Sequence, residues 1–329
     1  MRCVSIAKKF ISNGFNVTFL IADENPIAML EESGIFYENL HSQWDDLFKE
    51  IEKVRKLLID NPHSILFIDT YCVNKSYVES LLPYARICYL GSKKEYLGKL
   101  DCLINYSTDI DYDFYRDNYD SDTLLLLGPK YAPLRNEFQC IPICNNRDVN
   151  NCNILLTTGN TDQRNYVSHI MEALTNSSLF NKMIIRVVIG RMFENVAEIK
   201  KTFGNYSNII LLENVTSMSS LMKLSDLAIT ANGTTIYELA ASHVPIISFA
   251  MVKEQSNSAQ ALFDLGIVEY VGDIFDTEEE CISNIINKAE EYILKPNKRI
   301  ELAQKAFKVI DGKGCDKIVN TIKTRIIDE

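Results

Sequence analysis

A candidate phosphate site lies where an apolar run turns into a helix, in the stretch DLAITANGTTIYELAASHVPIISFA. Asn232 and Gly233 form a tight turn directly after the apolar run, and Thr234 or Thr235 is placed to cap the helix with its hydroxyl. The first amides of a helix are unpaired and carry partial positive charge, so they attract phosphate. Glu238 follows one turn later, where a carboxylate would accept hydrogen bonds from ribose hydroxyls. The motif alone predicts an ordinary strand–helix turn with a solvent-facing glutamate equally well.

A second turn of the same kind occurs in the stretch LLTTGNTDQRN. An apolar strand is followed by Gly159 and Asn160, then by polar residues and a helix. In a parallel sheet the carboxyl ends of neighbouring strands lie at one edge, so this turn could close on the same ligand as the first.

The cysteines do not form a pattern that binds metal. The chain has nine, and the pair Cys140 and Cys144 has neither a second pair nor a histidine cluster to complete a site. We therefore expect no metal, and reduced thiols of the kind found in the cytoplasm.

Charge and hydropathy argue against two classes of partner. A formal net charge of −10 disfavours sequence-independent binding of nucleic acid, which needs a basic face. No apolar run approaches the ~18 residues of a membrane span, and the first residues are amphipathic and charged rather than leader-like. These features predict a cytoplasmic protein whose partner is a small molecule.

Short apolar runs alternate with amphipathic helices along the whole chain, which predicts an α/β fold with parallel sheets. One of the clearest helices is WDDLFKEIEKVRKLLID, whose apolar stripe places Trp44 and Phe48 in the core. The predicted strands are VTFLIA, SILFID, ARICYL, CLINYS, TLLLLLG, NILLTTG, MIIRVVIG, NIILLENV, DLAITA, VPIISFA and IVEYVG.

An asparagine-rich stretch without periodicity, QCIPICNNRDVNNCN, interrupts this alternation of strands and helices and predicts a linker. We therefore divide the chain into two Rossmann-like βαβ domains, residues 1–145 and 146–329, whose parallel sheets face a cleft. The last helix is a candidate to pack back on the first domain.

Motifs in order along nearly the whole chain give it a family resemblance. The strongest is LLLGPKYAPLRNEF, and IDTYCVNKSYVESL, LDCLINYS, TANGTTIYELAASHVPIISFA and IDGKGCDKIV also fit. The sequence resembles the UDP-sugar hydrolases of pseudaminic acid biosynthesis and the related spore-coat polysaccharide proteins, the PseG/SpsG group. The resemblance implies a fold like that of GT-B glycosyltransferases, with UDP held by the second domain and no cofactor.

The resemblance also assigns roles to residues. Diphosphate would lie on the turn before the helix of Thr235, ribose on Glu238, and uracil against backbone groups at Met218. The implied nucleotide-binding residues are Gly159, Asn160, Met218, Gly233, Thr234, Thr235 and Glu238. The implied substrate-binding residues are Arg2, Asp69, Tyr71, Glu254 and Gln255.

Three departures from the family pattern touch the implied cleft. The Gly-Gly-Ser-Asp turn is replaced by residues 159–162, Gly-Asn-Thr-Asp, and the Asn-Gln pair by Glu254 and Gln255. Gly91 and Ser92 stand where the family has paired aspartates. The sequence therefore leaves the identity of the sugar open.

The family begins with a strand and the loop GxGHxxR, whose histidine is the candidate general base. The opening MRC matches the end of that loop, so Arg2 would be its arginine, and the strand, glycines and histidine would precede Met1. We expect a natural start about fifteen residues earlier, and UDP binding with little hydrolysis by the 329-residue chain. No catalytic residue is assigned. The histidines present stand elsewhere, at His41, His63, His169 and His243.

Three functions remain compatible with these residues. The first is inverting hydrolysis of a UDP-linked amino-deoxy sugar, in nonulosonic acid or surface polysaccharide biosynthesis. The second is a glycosyltransferase that uses the same UDP site with an unknown acceptor, and the third is a non-catalytic nucleotide-sugar-binding paralogue. The product distinguishes them: free sugar, a glycosylated acceptor, or neither. The oligomeric state is not predicted.

Overall fold

The computed structural model describes residues 1–62, 64–139 and 151–327. The chain divides into two compact units: unit 1 comprises Met1–Asn136 with Lys313–Glu329, and unit 2 comprises Glu137–Gly312. The predicted boundary at residue 145 and most of the predicted linker lie outside the described residues.

Unit 1 alternates helices with parallel strands. Its strands are β1 (Thr18–Ile21), β2 (Phe36–Asn39), β3 (Ile65–Ile68), β4 (Arg86–Leu90), β5 (Cys102–Asn105) and β6 (Leu124–Leu127). Its helices before residue 136 are α1 (Arg2–Ser12), α2 (Ile27–Ser33), α3 (Ile51–Asp60), α4 (Lys75–Leu81) and α5 (Tyr112–Asn118). β1 pairs with β2, and β3 to β6 form a separate four-stranded sheet in chain order. β2 was not predicted, because it is short and exposes alternate residues.

Unit 2 contains one six-stranded parallel sheet in the order β12-β11-β10-β7-β8-β9. Its strands are β7 (Cys152–Thr157), β8 (Met183–Val188), β9 (Ile209–Leu212), β10 (Leu227–Ala231), β11 (Ile246–Ala250) and β12 (Glu269–Asp273). Its helices are α6 (Tyr166–Thr175), α7 (Val196–Phe203), α8 (Met218–Lys223), α9 (Thr235–Ala241), α10 (Lys253–Asp264), α11 (Glu278–Leu294) and α12 (Pro296–Val309). β10 and β11 are buried along their whole length, which is why they read as continuous apolar runs.

The last helix, α13 (Gly314–Ile322), packs within unit 1 and ends in a π-helical turn, Lys323–Ile327. Its buried stripe of Cys315, Ile318, Val319 and Ile322 lies with Ile6 and Phe10 of α1 and with apolar residues of β4 to β6.

The predicted burial of Trp44 and Phe48 is wrong. Their side chains are 66% and 54% exposed. α3 begins only at Ile51, after a turn of 3-10 helix, and Trp44 lies in a tight turn closed by a bridge between Gln43 and Asp46. Leu47, Val54 and Leu58 of the predicted stripe are buried in one apolar cluster. Trp44 and Phe48 lie before α3 and do not share its periodicity, so their side chains point away from this cluster.

Candidate functional site in unit 2

The sheet of unit 2 reverses its strand order between β7 and β10. These two strands are neighbours, with Thr157 opposite Thr230. β8 and β9 continue to one side, while β11 and β12 continue to the other. In open parallel sheets a ligand binds at the carboxyl ends of the strands that flank such a reversal. The two turns predicted from the sequence follow these two strands, so they lie side by side.

The turn after β10 is held in place by Asn232, a residue that the sequence indicated only as part of a turn. Its backbone amide donates to the carbonyl of Phe249 at 2.8 Å. Its buried side-chain amide donates to the carbonyl of Gln255 at 3.1 Å and to Oγ of Ser258 at 2.7 Å. Asn232 therefore ties this turn to the first turn of α10, and it is a positioning residue that sequence reasoning missed.

The predicted hydroxyl cap of α9 is wrong. Thr234 is the N-cap residue, but its φ of −62° and ψ of −24° are helical, and no side chain caps the helix. A capping hydroxyl needs an extended backbone at the cap to reach the amides ahead of it. The hydroxyls of Thr234 and Thr235 are therefore not committed to capping.

The amides of Gly233, Thr234 and Thr235 have no acceptor among the residues that the structure describes. Gly233 and Thr234 are also exposed. Unpaired amides at a helix start carry partial positive charge, so this turn places three unpaired donors at the reversal point of the sheet.

The turn after β7 is shaped by two glycines. Gly159 has a φ of +91°, a backbone conformation that favours glycine. Gly190, two residues after the end of β8, approaches the carbonyls of Gly159 and Asn160 so closely that an added Cβ would lie well inside 3.0 Å of both oxygens. The amide of Met192 also donates to the carbonyl of Asn160 at 3.0 Å. The end of β8 therefore fixes the position of the Gly159–Asn160 turn.

Asp162, the acidic residue of this turn, caps α6. Its two carboxylate oxygens accept from the amides of Tyr166 and Val167, each at 2.9 Å, and the residue is buried. Burial raises the pKa of this carboxyl above its ordinary value, although the two amides act in the opposite direction. These contacts give Asp162 a structural role, which is to hold the first amides of α6.

Replacing Asp162 with alanine is expected to destabilise the protein by about 1–2 kcal/mol, because two helix-start amides lose their acceptor. The free energy of unfolding from a urea titration measures the effect. Asp276→Ala, which changes an exposed aspartate of unit 2, is the matched control and should be neutral. Equal midpoints for the two variants would show that the cap contributes nothing.

The remaining predicted residues of unit 2 lie in helices that follow β9, β10 and β11. Glu254 and Gln255 begin α10 after β11, the neighbour of β10. Glu254 is exposed, while Oε1 of Gln255 accepts from the amide of Met251 at 2.8 Å. Glu238 is half-buried on α9. Met218 is the first residue of α8, which follows β9 and is capped by Ser217.

In unit 1, the structure brings Arg2 and Asp69 together. Nε of Arg2 donates to Oδ2 of Asp69 at 3.0 Å, Nη2 donates to Oδ1, and Nη1 donates to the hydroxyl of Tyr106 at 3.1 Å. The hydrogen bond to Asp69 raises the pKa of the Arg2 guanidinium above its ordinary value. Cys3 and Tyr106 were not predicted to belong to this cluster, because only the fold brings them to Asp69.

The thiol of Cys3 donates to Oδ2 of Asp69 at 2.9 Å. Burial is the main cause that raises the pKa of this thiol, and the negative charge of Asp69 raises it as well. The thiol therefore stays protonated. Tyr71, two residues beyond Asp69, is 70% exposed.

Within residues 1–62, 64–139 and 151–327, no group of three or more His, Cys, Asp or Glu side chains is arranged to hold a metal ion. Over the same ranges, no helix has the length and apolar character needed to cross a membrane.

Two solved structures illustrate the fold that this chain shares with other proteins. One is MurG of Acinetobacter baumannii, with a TM-score of 0.68 and 14% identity over 98% of this chain and 95% of that one. The other is the UDP-GlcNAc 2-epimerase of Neisseria meningitidis bound to UDP-GlcNAc, with a TM-score of 0.70 and 14% identity over 98% of each chain. These likenesses confirm the predicted α/β, GT-B-like fold with Rossmann-like domains.

Two curated proteins are related in sequence. The spore coat polysaccharide biosynthesis protein SpsG of Bacillus subtilis is 23% identical over 206 residues, which cover 61% of this chain and 56% of SpsG. An uncharacterized protein of Methanocaldococcus jannaschii is 26% identical over 261 residues, covering 75% of this chain and 51% of that protein. The chain thus spans about half the length of the curated relatives it matches. The match to SpsG confirms the predicted resemblance to the PseG/SpsG group.

A family profile covers the part of the chain that contains the unpaired amides. The glycosyltransferase family 28 C-terminal domain matches residues 153–317, half of the chain, from β7 to α13. Both turns at the reversal point of the sheet lie within this match. The chain belongs to the family defined by the glycosyltransferase family 28 C-terminal domain.

Proposed function

We propose that unit 2 binds the UDP part of a nucleotide sugar at the reversal point of its sheet. The observation that carries this proposal is the row of unpaired amides at Gly233, Thr234 and Thr235, next to the turn of Gly159 and Asn160. A diphosphate is the ligand that such a row of donors favours. Two solved structures of similar fold support a nucleotide sugar as the ligand class: MnaA of S. aureus is bound to UDP, and the UDP-GlcNAc 2-epimerase of Neisseria meningitidis is bound to UDP-GlcNAc.

The other nucleotide contacts follow from the same edge of the sheet. Glu238 would accept from the ribose hydroxyls, since its carboxylate follows the amide row by one helical turn. Backbone groups at Met218 would contact uracil. Glu254 and Gln255 in unit 2, and Arg2, Asp69 and Tyr71 in unit 1, are the proposed sugar-binding residues.

The proposed reaction is hydrolysis of a UDP-linked amino-deoxy sugar in polysaccharide or nonulosonic acid biosynthesis. Water would attack the anomeric carbon, the bond from that carbon to the diphosphate oxygen would break, and UDP would leave with inversion at the carbon. The amide row would stabilise the charge on the departing diphosphate. The proton of the attacking water needs a base, which this proposal leaves unassigned.

Transfer of the sugar to an acceptor is a second candidate, because the matching family profile describes a glycosyltransferase domain. The two reactions share the UDP site and differ only in what attacks the anomeric carbon. Incubation with UDP-sugars followed by product analysis separates them: hydrolysis releases free sugar, and transfer requires an added acceptor.

Titration calorimetry with UDP, ADP and GDP tests the nucleotide proposal. We expect UDP to bind most tightly, because the backbone groups at Met218 would read the hydrogen-bonding edge of uracil. Equal affinities for the three diphosphates would contradict a uracil site, and no binding by any of them would overturn the nucleotide proposal.

Glu238→Ala is expected to weaken UDP binding by about 1.5–3 kcal/mol, the contribution of a hydrogen bond to a charged group. The same titration measures it. Glu198→Ala, on the exposed side of α7, is the control and should bind UDP like the original chain. An unchanged affinity for Glu238→Ala would remove the ribose assignment.

A further inference from the structure

A short turn just beyond β8 presents Arg191 at the carboxyl edge of the unit 2 sheet, where the strands end. The amide of Phe193 donates to the carbonyl of Gly190 at 3.2 Å, which closes a four-residue turn. Arg191 and Met192 are the two central residues of this turn, and both are exposed. Phe193, in contrast, is buried in the apolar core of unit 2. The turn is thus anchored in the core while it holds Arg191 outside it.

The backbone of this turn is fixed to the neighbouring turn of Gly159 and Asn160. Gly190 closely approaches the carbonyls of both residues, and the amide of Met192 donates to the carbonyl of Asn160 at 3.0 Å. Arg191 stands between these two contacts, so its backbone has a defined place beside the Gly159–Asn160 turn. A side chain on a fixed support loses less freedom on binding than one on a loose loop.

The guanidinium of Arg191 is not used by the part of the chain that the structure describes. No carboxylate there forms an ion pair with it, and no acceptor there forms a hydrogen bond with it. Two basic side chains on neighbouring elements are committed instead: Lys200 pairs with Glu213 at 2.6 Å, and Arg164 donates to the hydroxyl of Tyr166 at 3.2 Å. In a chain with a net charge of −10, Arg191 is therefore a cation available to an anionic ligand.

The strand order places Arg191 between two parts of the proposed nucleotide site. β10, β7, β8 and β9 are successive neighbours, about 4.8 Å apart. The amide row that starts at Gly233 follows β10, the turn of Gly159 follows β7, Arg191 follows β8, and Met218 starts the helix after β9. A nucleotide with its diphosphate at the first two positions and its uracil at the last would pass Arg191.

We propose that the guanidinium of Arg191 binds the α-phosphate of the nucleotide, which is the phosphate joined to the ribose. This phosphate lies on the nucleoside side of the diphosphate, as β8 lies on the Met218 side of the Gly159 turn. A planar guanidinium donates two parallel hydrogen bonds to phosphate oxygens, and its charge offsets theirs. The inference rests on the nucleotide proposal for unit 2, and it adds a residue that the family resemblance did not imply.

Titration calorimetry with uridine, UMP and UDP tests this assignment on Arg191→Gln. We expect the affinities for UMP and UDP to fall by a similar factor, about tenfold, because both ligands carry the α-phosphate. The affinity for uridine, which has no phosphate, should not change. Lys201→Gln removes the same charge from an exposed position on α7, and this matched control should bind all three ligands like the original chain. Arg191→Lys should recover part of the affinity, since it keeps the charge and loses the planar fork.

Salt dependence is a readout that a merely structural role of Arg191 would not move. Raising the ionic strength from about 0.01 M to about 0.15 M shortens the Debye length from about 30 Å to about 8 Å. This change should weaken UDP binding more in the original protein than in Arg191→Gln, because the variant lacks the charge that salt screens. Urea unfolding should give the same midpoint for both proteins, since the side chain pairs with no described residue.

Three results would overturn the assignment while the original protein still binds UDP. The first is equal affinity of Arg191→Gln and Lys201→Gln for UMP and UDP. The second is a loss for UDP alone, which would place Arg191 on the β-phosphate. The third is an equal loss for uridine, which would mean that the substitution distorts the whole site. If the original protein binds no UDP, the nucleotide proposal itself is wrong, and this inference falls with it.

Discussion

Gly190→Ala should weaken UDP binding by about tenfold or more, equivalent to at least about 1.4 kcal/mol. The added methyl group would lie well inside 3.0 Å of the carbonyl oxygens of Gly159 and Asn160. Both are backbone atoms, so the turn itself must move. Because this turn neighbours the amide row of Gly233 to Thr235, the shift would disturb the proposed diphosphate site. Overpacking of this kind also lowers stability, typically by about 1–3 kcal/mol.

Titration calorimetry with UDP and urea unfolding together measure the two effects of Gly190→Ala. Gly233→Ala is the informative comparison, since Gly233 has no positive φ and no atom within 4 Å of an added Cβ. It should unfold like the original chain while placing a methyl group in the open space where the ligand is proposed to lie. Unchanged stability and unchanged UDP affinity for Gly190→Ala would show that the turn is mobile enough to absorb the contact.

Gly314→Ala should give the largest loss of stability in unit 1. An added Cβ at this position would overlap the carbonyl of Ala132 and lie within 3.0 Å of the backbone of Tyr131. Gly314 starts α13, whose buried residues Cys315 and Ile318 pack on the sheet of unit 1. The helix must therefore move away from its packing surface, at a cost of about 3 kcal/mol, the upper part of the range for overpacked cores.

Asn320→Ala is the matched control, because Asn320 lies on the exposed side of the same helix. It should leave stability unchanged or raise it slightly, since alanine is the better helix former. Urea unfolding of the three proteins measures the difference. If Gly314→Ala unfolds at the same urea concentration as Asn320→Ala, close contact with Ala132 does not hold α13 in place.

The sequence by itself determined the class of fold and the location of the candidate site. Buried parallel strands are apolar on both faces, so β7, β10 and β11 were visible as short apolar runs, and the turns at Gly159 and Gly233 followed from the residues after them. The motifs from Leu125 to Phe138 and around Thr234 also carried the resemblance that the match to SpsG confirms. These are local signals, each readable within about ten residues.

Only the tertiary structure decided which residues hold the turns at Gly159 and Gly233 in place. Gly190 contacts the Gly159 turn, and Asn232 contacts the start of α10. Both contacts join residues that are far apart in sequence. Trp44 looked like a core residue because its spacing fitted a helix, yet the helix begins after it. Which strands pair with β1 and β3 was likewise not readable as a local pattern. Backbone pairing is set by which strands become neighbours in space, and an apolar run has the same composition whether its edge is paired or open.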